Sequence, residues 1–275
     1  MKTFILLILI TLAILWPLTR YALFLVSNYL AGHLGYIRKQ LSGLAKPIAR
    51  GVLTAIAAEV VAVVTYPFGW FISPKSEKTG IPVLMVHGLF HNASAWFVFR
   101  RRLGKAGFVN LHTYQYGSLT KSFSQAVTGL EERLDNLLED SPDSKIILIG
   151  HSQGGLVCRR AAGNPVYRDR VAAMVTLGSP HKGSDLARFA SYSMARDLIP
   201  GRATAKSVDA VPDPDCPRLG IYTLVDDFVF PLDMLQTGRS GWQERICSPM
   251  GHVWMVYSRE VVGMVIDFLR PVLAK

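Results

Sequence analysis

The segment Lys145–Gly155, with the sequence KIILIGHSQGG, decides the fold prediction for this chain. The apolar run Ile146–Ile149 predicts a buried β-strand, and the residues from Gly154 to Ala162 have helical spacing. Between them lies Gly150-His-Ser-Gln-Gly154, a G-x-S-x-G sequence. Where such a sequence joins a strand to a helix, the serine stands in a strained turn at the edge of a sheet. We therefore predict that Ser152 is a nucleophile at the N-terminus of a helix, rather than part of an ordinary Gly-Ser turn.

Short apolar strands and helical segments alternate on both sides of this segment. The predicted strands cover 81–86, 108–114, 145–150, 171–177 and 219–225, and the predicted helices cover 93–105, 122–139, 154–162 and 261–269. This alternation is typical of βαβ units, in which helices cover both faces of a mostly parallel sheet. We predict an α/β catalytic domain over 76–275. Residues 185–218 separate two strands and form either a small cap or lid, or a covering helix and loop.

Composition and charge limit the class of protein. Half of the residues are hydrophobic, only 18% are charged and the mean hydropathy is +0.26, which excludes a disordered or coiled-coil chain. The net charge is +10, but residues 1–75 contain seven of the basic residues and a single acidic one. Because the basic excess lies beside apolar sequence, it favours an anionic lipid surface and argues against nucleic acid as the partner.

Residues 1–75 are predicted to be a membrane-anchor region. The uncharged run Phe4–Trp16 is shorter than the roughly 20 residues that cross a bilayer, but Phe4–Val26 would cross it if Arg20 snorkels or pairs. A second apolar stretch, Gly51–Ile72, is a second span or an interfacial helix. A cleaved signal peptide is the alternative, but no small-residue cleavage site follows the first run closely. We predict an uncleaved anchor with one or two spans and a catalytic domain outside the cytosol. Deletion of residues 1–72 should then leave a soluble, active protein.

A serine nucleophile requires a base and an orienting acid, which follow it in the order Ser, Asp/Glu, His. His252 lies just before the last predicted helix and is the candidate base, with an unrelated surface histidine as the alternative. Asp226 and Asp227 end a predicted strand, where the acid is needed. Composition does not choose between them. Because successive side chains at a strand end point in opposite directions, we expect only one of them to face His252.

Five segments together resemble bacterial triacylglycerol lipases and esterases of the α/β-hydrolase family. They are the strand and loop Pro82–Gly88, the Ser152 motif, the run Leu177–Ser184, the acidic segment Tyr222–Pro231 and the pair Gly251-His252. In the register of this resemblance Asp226 falls on the acid and Asp227 on the residue after it. Val225 stands where these lipases often have a histidine, so any role of that histidine is absent.

The resemblance implies the α/β-hydrolase fold and a serine carboxylester hydrolase that works through an acyl-enzyme. Ser152 is then the nucleophile, His252 the general base and Asp226 the residue that orients the imidazole. The backbone N–H groups of Leu89 and Gln153 are the expected oxyanion-hole donors.

The sequence has no metal-ligand spacing and no glycine-rich phosphate loop, so we expect no cofactor and no metal. The expected partners are a lipid or acyl-ester substrate and a membrane. A thioesterase or an acyltransferase would use the same residues, and a non-catalytic hydrolase-fold binding module is the alternative outside the enzymes. Cys216 and Cys247 could pair if the domain lies outside the cytosol.

Overall fold

A parallel sheet organises residues 2–70, 79–139 and 145–273, which are the residues that this computed structural model describes. Its six strands in these ranges are β1 (Val83–Val86), β2 (Leu111–Tyr114), β3 (Ile146–His151), β4 (Val171–Leu177), β5 (Arg218–Thr223) and β6 (Trp242–Cys247). They lie in the order β2-β1-β3-β4-β5-β6, and every neighbouring pair is parallel. The predicted parallel sheet is confirmed. The predicted boundary between residues 75 and 76 lies outside the described residues.

Helices cover both faces of the sheet, as the alternating sequence predicts. They are α1 (Lys2–Leu30), α2 (Leu34–Gln40), α3 (Ala45–Thr65), α4 (Phe97–Lys105), α5 (Phe123–Glu139), α6 (Gln153–Ala162), α7 (Pro165–Arg168), α8 (Ser193–Arg196), α9 (Ala203–Asp209) and α10 (Arg259–Leu273). Side chains of β3 alternate between the two faces. Ile147 and Ile149 pack in one core with residues of α4 and α10, whereas Leu148 packs in the other with residues of α5 and α6.

Strand β6 is the strand that the sequence analysis missed. It lies at the edge of the sheet, and most of its side chains are partly or fully exposed. Its sequence, WQERIC, has no apolar run, because an edge strand with little buried surface does not need one.

The N-terminal helices pack against the carboxyl edge of the sheet. Tyr21 and Phe24 of α1 are each 2% exposed and lie in one apolar cluster with residues of the segment after β5. The Tyr21 hydroxyl donates a hydrogen bond to the carbonyl oxygen of Val225 at 3.0 Å. From α3, the Thr54 hydroxyl accepts a hydrogen bond from the N–H of Gly251 at 2.8 Å. Helices α1 and α3 therefore form part of the same folded body as the sheet.

The connection between α1 and α3 lies on the same side as the catalytic domain. Ile37 of α2 is fully buried in the apolar cluster, and His33 Nε2 lies 3.1 Å from Asp233 Oδ1. A hairpin of two spans would place this connection across a membrane from the catalytic domain. The single anchor and the two-span hairpin both stay predictions, because Tyr21 and Phe24, which lie inside the predicted span Phe4–Val26, are also buried against the catalytic domain.

The described chain still contains a helical segment, Ala45–Gly69, that is long and apolar enough to cross a membrane by length and composition alone. Its mean hydropathy is 1.8. Because Ala55 and Ala58 on its inner side are buried against the catalytic domain, this helix is weak evidence for a membrane segment.

Residues 185–218 form a short 3₁₀-helix (Asp185–Phe189), α8, α9 and their connections. Met194, Leu198 and Val208 are buried on the side of the core that contains α6. Phe189 and Tyr192 are exposed. The segment covers the core with its inner side and presents aromatic side chains on its outer side.

The cysteines are free thiols, and the possible pairing of Cys216 with Cys247 is wrong. Cys216 lies just before the first residue of β5, whereas Cys247 is in register with Thr223 at the last residue of that strand. A strand rises about 3.3 Å per residue, so the two lie about 20 Å apart along the strand, well beyond the reach of a disulfide.

Candidate active site

Ser152 occupies a strained turn between β3 and α6. Its φ is 54° and its ψ is −128°, a backbone conformation that L-residues with side chains rarely adopt. The turn is held by a hydrogen bond of 2.8 Å from the Ser152 N–H to the carbonyl oxygen of Leu177 on β4. A Cβ at Gly154 would overlap carbonyl oxygens of the β1 end, and one at Gly150 would overlap the backbone of α6. The glycines of the motif therefore allow strand, turn and helix to approach this closely.

Asp226 holds the imidazole ring of His252. The Nδ1–H of His252 donates a hydrogen bond to Asp226 Oδ2 at 2.8 Å, and both side chains are buried. The other carboxylate oxygen, Oδ1, accepts hydrogen bonds from the N–H groups of Phe228 and Val229 at 2.9 Å and 2.8 Å. These bonds fix the carboxylate, and the carboxylate fixes the ring.

Asp227 also contacts His252, but through the main chain. Its Oδ1 accepts a hydrogen bond of 2.8 Å from the His252 N–H. We expected only one of the two carboxylates to face His252. This is confirmed for the imidazole ring, which contacts Asp226, but it is wrong for the whole residue, because the main-chain N–H contacts Asp227. Burial raises the pKa of Asp227, while the nearby guanidinium of Arg20 opposes this shift.

His151, the second residue of the motif, contacts His252. Its ring centroid is 4.7 Å from that of His252, and its Nε2–H donates to the His252 carbonyl oxygen at 3.2 Å. Burial, and after it the neighbouring His252, holds the pKa of His151 well below its usual range, so the ring is neutral. In the described residues no hydrogen bond joins the Ser152 hydroxyl to His252. Such bonds often tighten only when substrate binds, so the contact between Ser152 and His252 stays a prediction.

The two expected oxyanion donors lie on the segments that flank Ser152. Leu89 follows Gly88, whose Cα approaches the Ser152 side chain so closely that a Cβ there would overlap it. Gln153 is the first residue of α6. Among the described residues neither backbone N–H has a hydrogen-bond partner, which leaves both available to a ligand. Their role stays a prediction.

His87 is a structural residue beside this loop. Its Nδ1–H donates to the Gly88 carbonyl oxygen at 2.8 Å, and its Nε2 accepts from the N–H of Tyr116 at 3.1 Å. Its ring stacks on that of Tyr116 with centroids 4.6 Å apart. Burial lowers the pKa of His87 to about 4, so the ring is neutral near pH 7.

Sequence reasoning missed two side chains that support the site. The Tyr116 hydroxyl donates to the carbonyl oxygen of His87 at 3.0 Å, and nothing in the local sequence marks that tyrosine. Arg20 contacts Asp227, and its signal is a charge inside an apolar run, which has to find a partner when buried. No group of three or more metal-ligating side chains is placed to hold an ion in the described ranges.

Comparison with known proteins identifies the fold. A family model described as the alpha/beta hydrolase fold matches residues 81–198. A triacylglycerol lipase of Burkholderia plantarii is 30% identical over 159 residues, which cover 54% of this chain and 40% of the lipase. A triacylglycerol lipase of Pseudarthrobacter phenanthrenivorans is 31% identical over 129 residues, which cover 43% of this chain and 39% of that enzyme.

Solved structures show the same architecture. A structure from the study of LipS and LipT, two metagenome-derived lipolytic enzymes, superposes with a TM-score of 0.55 at 18% identity, covering 71% of this chain and 96% of that one. This chain has the α/β-hydrolase fold, and its predicted resemblance to bacterial triacylglycerol lipases is confirmed over about half of its length. The chain spans about two fifths of the length of each of these two curated lipases.

Proposed function

We propose that this protein is a serine carboxylester hydrolase that cleaves acyl esters of lipids through Ser152, His252 and Asp226. The observation that carries the proposal is the buried 2.8 Å hydrogen bond between His252 Nδ1 and Asp226 Oδ2. It lies at the same edge of the sheet as the strained turn that presents Ser152.

The proposed reaction follows from which imidazole nitrogen is engaged. Because Nδ1–H is bonded to Asp226, Nε2 is the unprotonated nitrogen that accepts the proton of the Ser152 hydroxyl. The serine oxygen attacks the ester carbonyl and forms a tetrahedral oxyanion. When this intermediate collapses, the ester C–O bond breaks, and the imidazolium of His252 gives its proton to the departing alcohol. Water, deprotonated by the same imidazole, then hydrolyses the acyl-enzyme and releases the acid.

Two backbone donors and one helix end stabilise the oxyanion in this proposal. The N–H groups of Leu89 and Gln153, on the segments that flank Ser152, are the proposed donors, and removal of one such donor typically raises the barrier by about 3 kcal/mol. The N-terminus of α6 adds positive potential at the same place. These groups act on negative charge that the bound ester does not yet have, so they would raise turnover and leave substrate binding little changed.

An apolar rim, formed by the exposed side chains of Phe90, Leu119 and Tyr192 near the predicted oxyanion donors, favours a lipid-like substrate. Phe90 is 48% exposed and directly follows Leu89, and its ring packs at 5.8 Å against the ring of Tyr192. The N–H of Phe90 is bonded to the hydroxyl of Ser118, next to the exposed Leu119. A rim of this kind offers apolar surface to an acyl chain. The matched relatives from Burkholderia plantarii and Pseudarthrobacter phenanthrenivorans are named triacylglycerol lipases, which favours the same substrate class.

Membrane attachment through the N-terminus belongs to the same proposal. The run Phe4–Trp16 lies at the start of α1, and α3 exposes Val60, Val63 and Val64. With Lys2 on the cytosolic side, a single anchor places the catalytic domain outside the cytosol. Detergent should release the intact protein from membranes and high salt should not, because salt screens charges and leaves apolar contacts intact. Release by salt alone would contradict the anchor.

The catalytic proposal is tested with p-nitrophenyl esters of graded acyl length and a fluorophosphonate label. Wild type should hydrolyse the esters and take up the label, whereas folded Ser152→Ala and His252→Ala should lose nearly all turnover, since the three residues act as a unit. Ser240→Ala removes an exposed serine and is the matched control. Substantial turnover in folded Ser152→Ala would overturn the assignment, and labelling of Ser152→Ala would show that the reactive serine lies elsewhere.

A further inference from the structure

A buried ion group connects α1 with the candidate catalytic histidine. Arg20 is 1% exposed, and its Nε–H donates to Asp227 Oδ2 at 2.9 Å. One guanidinium nitrogen lies 2.9 Å from the same oxygen and 2.5 Å from Glu59 Oε1 on α3. The second oxygen of Asp227 accepts the His252 N–H at 2.8 Å. A continuous path of hydrogen bonds therefore runs from α1 through Arg20 and Asp227 to the main chain of His252.

We propose that Arg20 is a positioning residue for His252, which it supports through Asp227, so that turnover depends on α1 being seated against the catalytic domain. This inference rests on the proposed hydrolase function, because it assigns to an N-terminal residue the support of the proposed base.

Charge balance explains why a cation is needed at this place. Asp226 and Asp227 are adjacent and fully buried, so their negative charges repel each other in a medium of low polarity. Asp226 has the imidazole ring of His252 as its partner. In the part of the chain that the structure describes, Arg20 is the cation in contact with Asp227. Without Arg20 the carboxylate would bind a proton or leave its position, and either change alters the bond to the His252 N–H.

A second contact joins the guanidinium to the imidazole. Arg20 lies over the ring of Phe228 at 4.3 Å, and the ring of Phe228 lies 5.2 Å from that of His252. Phe228 also donates its N–H to Asp226. The planar guanidinium thus fits a stacked position between two charged partners, and a lysine would supply the charge without the stacking.

Glu59 offers a matched control, because it binds the same guanidinium and is remote from the path to His252. Its side chain is 26% exposed, whereas that of Asp227 is fully buried. Loss of the Glu59 charge leaves a solvated site and keeps the cation beside Asp227. Arg20→Met and Glu59→Gln therefore remove the two ends of one ion pair, and only the first removes the support of Asp227.

The test uses the full chain in detergent micelles, with kcat and KM for one p-nitrophenyl ester from pH 5 to 9. The number of active sites is counted by fluorophosphonate labelling. For Arg20→Met we expect kcat per labelled site to fall by about 100-fold with KM little changed, since a small displacement of a catalytic group has an effect of this order. Loss of the Arg20 cation raises the proton affinity of Asp227, and a protonated Asp227 holds the His252 N–H less firmly, so the acid limb of kcat/KM should move to higher pH. Arg20→Lys should return the limb to its wild-type position, and Glu59→Gln should leave both kcat and the limb close to wild type.

Two results would overturn the proposal. The first is a folded Arg20→Met with wild-type kcat and acid limb. The second is a lower count of labelled sites with unchanged kcat per site and unchanged limb, which would show that Arg20 serves only stability. Where Arg20→Met does not fold, the double variant Arg20→Met/Asp227→Asn decides, since two neutral side chains restore the charge balance. We expect it to have a low kcat, and a wild-type kcat would refute the inference. Failure of the wild type to be labelled at Ser152 would instead refute the proposed function.

Discussion

Replacement of Phe24 by alanine should destabilise the whole catalytic domain, although this residue lies in the first helix of the chain. Phe24 is 2% exposed, and its ring meets those of Phe230 at 6.4 Å and Tyr21 at 6.1 Å in edge-to-face contacts. Phe230 belongs to the segment that also holds Asp226. A phenylalanine that only anchored the chain in lipid would make no such contacts.

The magnitude follows from burial. Truncation of a buried phenylalanine to alanine costs about 3 to 5 kcal/mol, because it removes transfer free energy and leaves a cavity. Whole domains are stable by about 5 to 15 kcal/mol, so this is a large part of the total. For a chain of this size each kcal/mol lowers the midpoint of thermal unfolding by about 2 to 4 °C, which gives an expected decrease of about 10 °C.

The assay is thermal unfolding of purified full-length protein at one detergent concentration, followed by near-ultraviolet circular dichroism. Tyr29→Ala is the matched control, because it removes an aromatic ring from the same helix where that ring is 71% exposed. Its midpoint should stay close to that of wild type. Equal midpoints for Phe24→Ala and wild type would refute the packing of α1 against the sheet edge.

The remaining predictions concern the site and its surroundings. Asp226→Asn should lower kcat by about 10⁴-fold in an ester assay, since an amide cannot hold the required tautomer of the His252 imidazole. Asp227→Asn should lower kcat less. If Asp227→Asn lowered kcat more, Asp227 would be the acid. Gly154→Ala should prevent folding, because the added Cβ would overlap the carbonyl oxygens at the end of β1. Gly104→Ala is the control: it lies in open space on α4 and should raise the free energy of unfolding by about 0.5 to 1 kcal/mol. A well-folded Gly154→Ala, judged by circular dichroism, would contradict the close approach of α6 to β1. Burial lowers the pKa of His87 from 6.5 to about 4. The neutral ring therefore contributes fully to the free energy of unfolding above pH 6.5, and this contribution of about 3 kcal/mol is lost as the pH falls toward 4. The difference in urea midpoint between wild type and His87→Gln should therefore narrow from pH 7 to pH 4.5, and a constant difference would show that burial does not disfavour the charged ring.

The predicted strands and the turn at Ser152 were found because each depends on a pattern of neighbouring residues. Four of the five predicted strands are largely apolar runs, 108–114 mixes apolar and polar residues, and each strand is found with small shifts at its ends. The turn at Ser152 was predictable because its glycines, strand and helix are contiguous. Choosing Asp226 over Asp227 required the register of a resemblance, since both carboxylates end the same strand and, in the structure, both reach His252.

The N-terminal region shows why its packing and its ion pairs could not be predicted from the sequence. Hydropathy measures how apolar a helix is and does not say whether lipid or protein covers it. Helix α3 satisfies the composition of a membrane span while Ala55 and Ala58 lie against the catalytic domain. The partner of Arg20 is 207 residues away in sequence, so no local pattern could name it. These contacts also reverse one expectation: deletion of residues 1–72 should give an unstable protein, because it exposes an apolar cluster and leaves Asp227 unpaired.

The contact between Arg20 and Asp227 also sets an order for biosynthesis. Because the two residues are 207 positions apart, α1 leaves the ribosome long before its partner segment exists. Pairing of such distant segments is slow, since the intervening chain has to be brought together first. A nascent chain thus carries α1 without this partner segment through most of its translation, with that face of the helix open to chaperones or to a membrane. Because Asp227 is made so late, the proposed support of His252 by Arg20 forms only after most of the chain has left the ribosome.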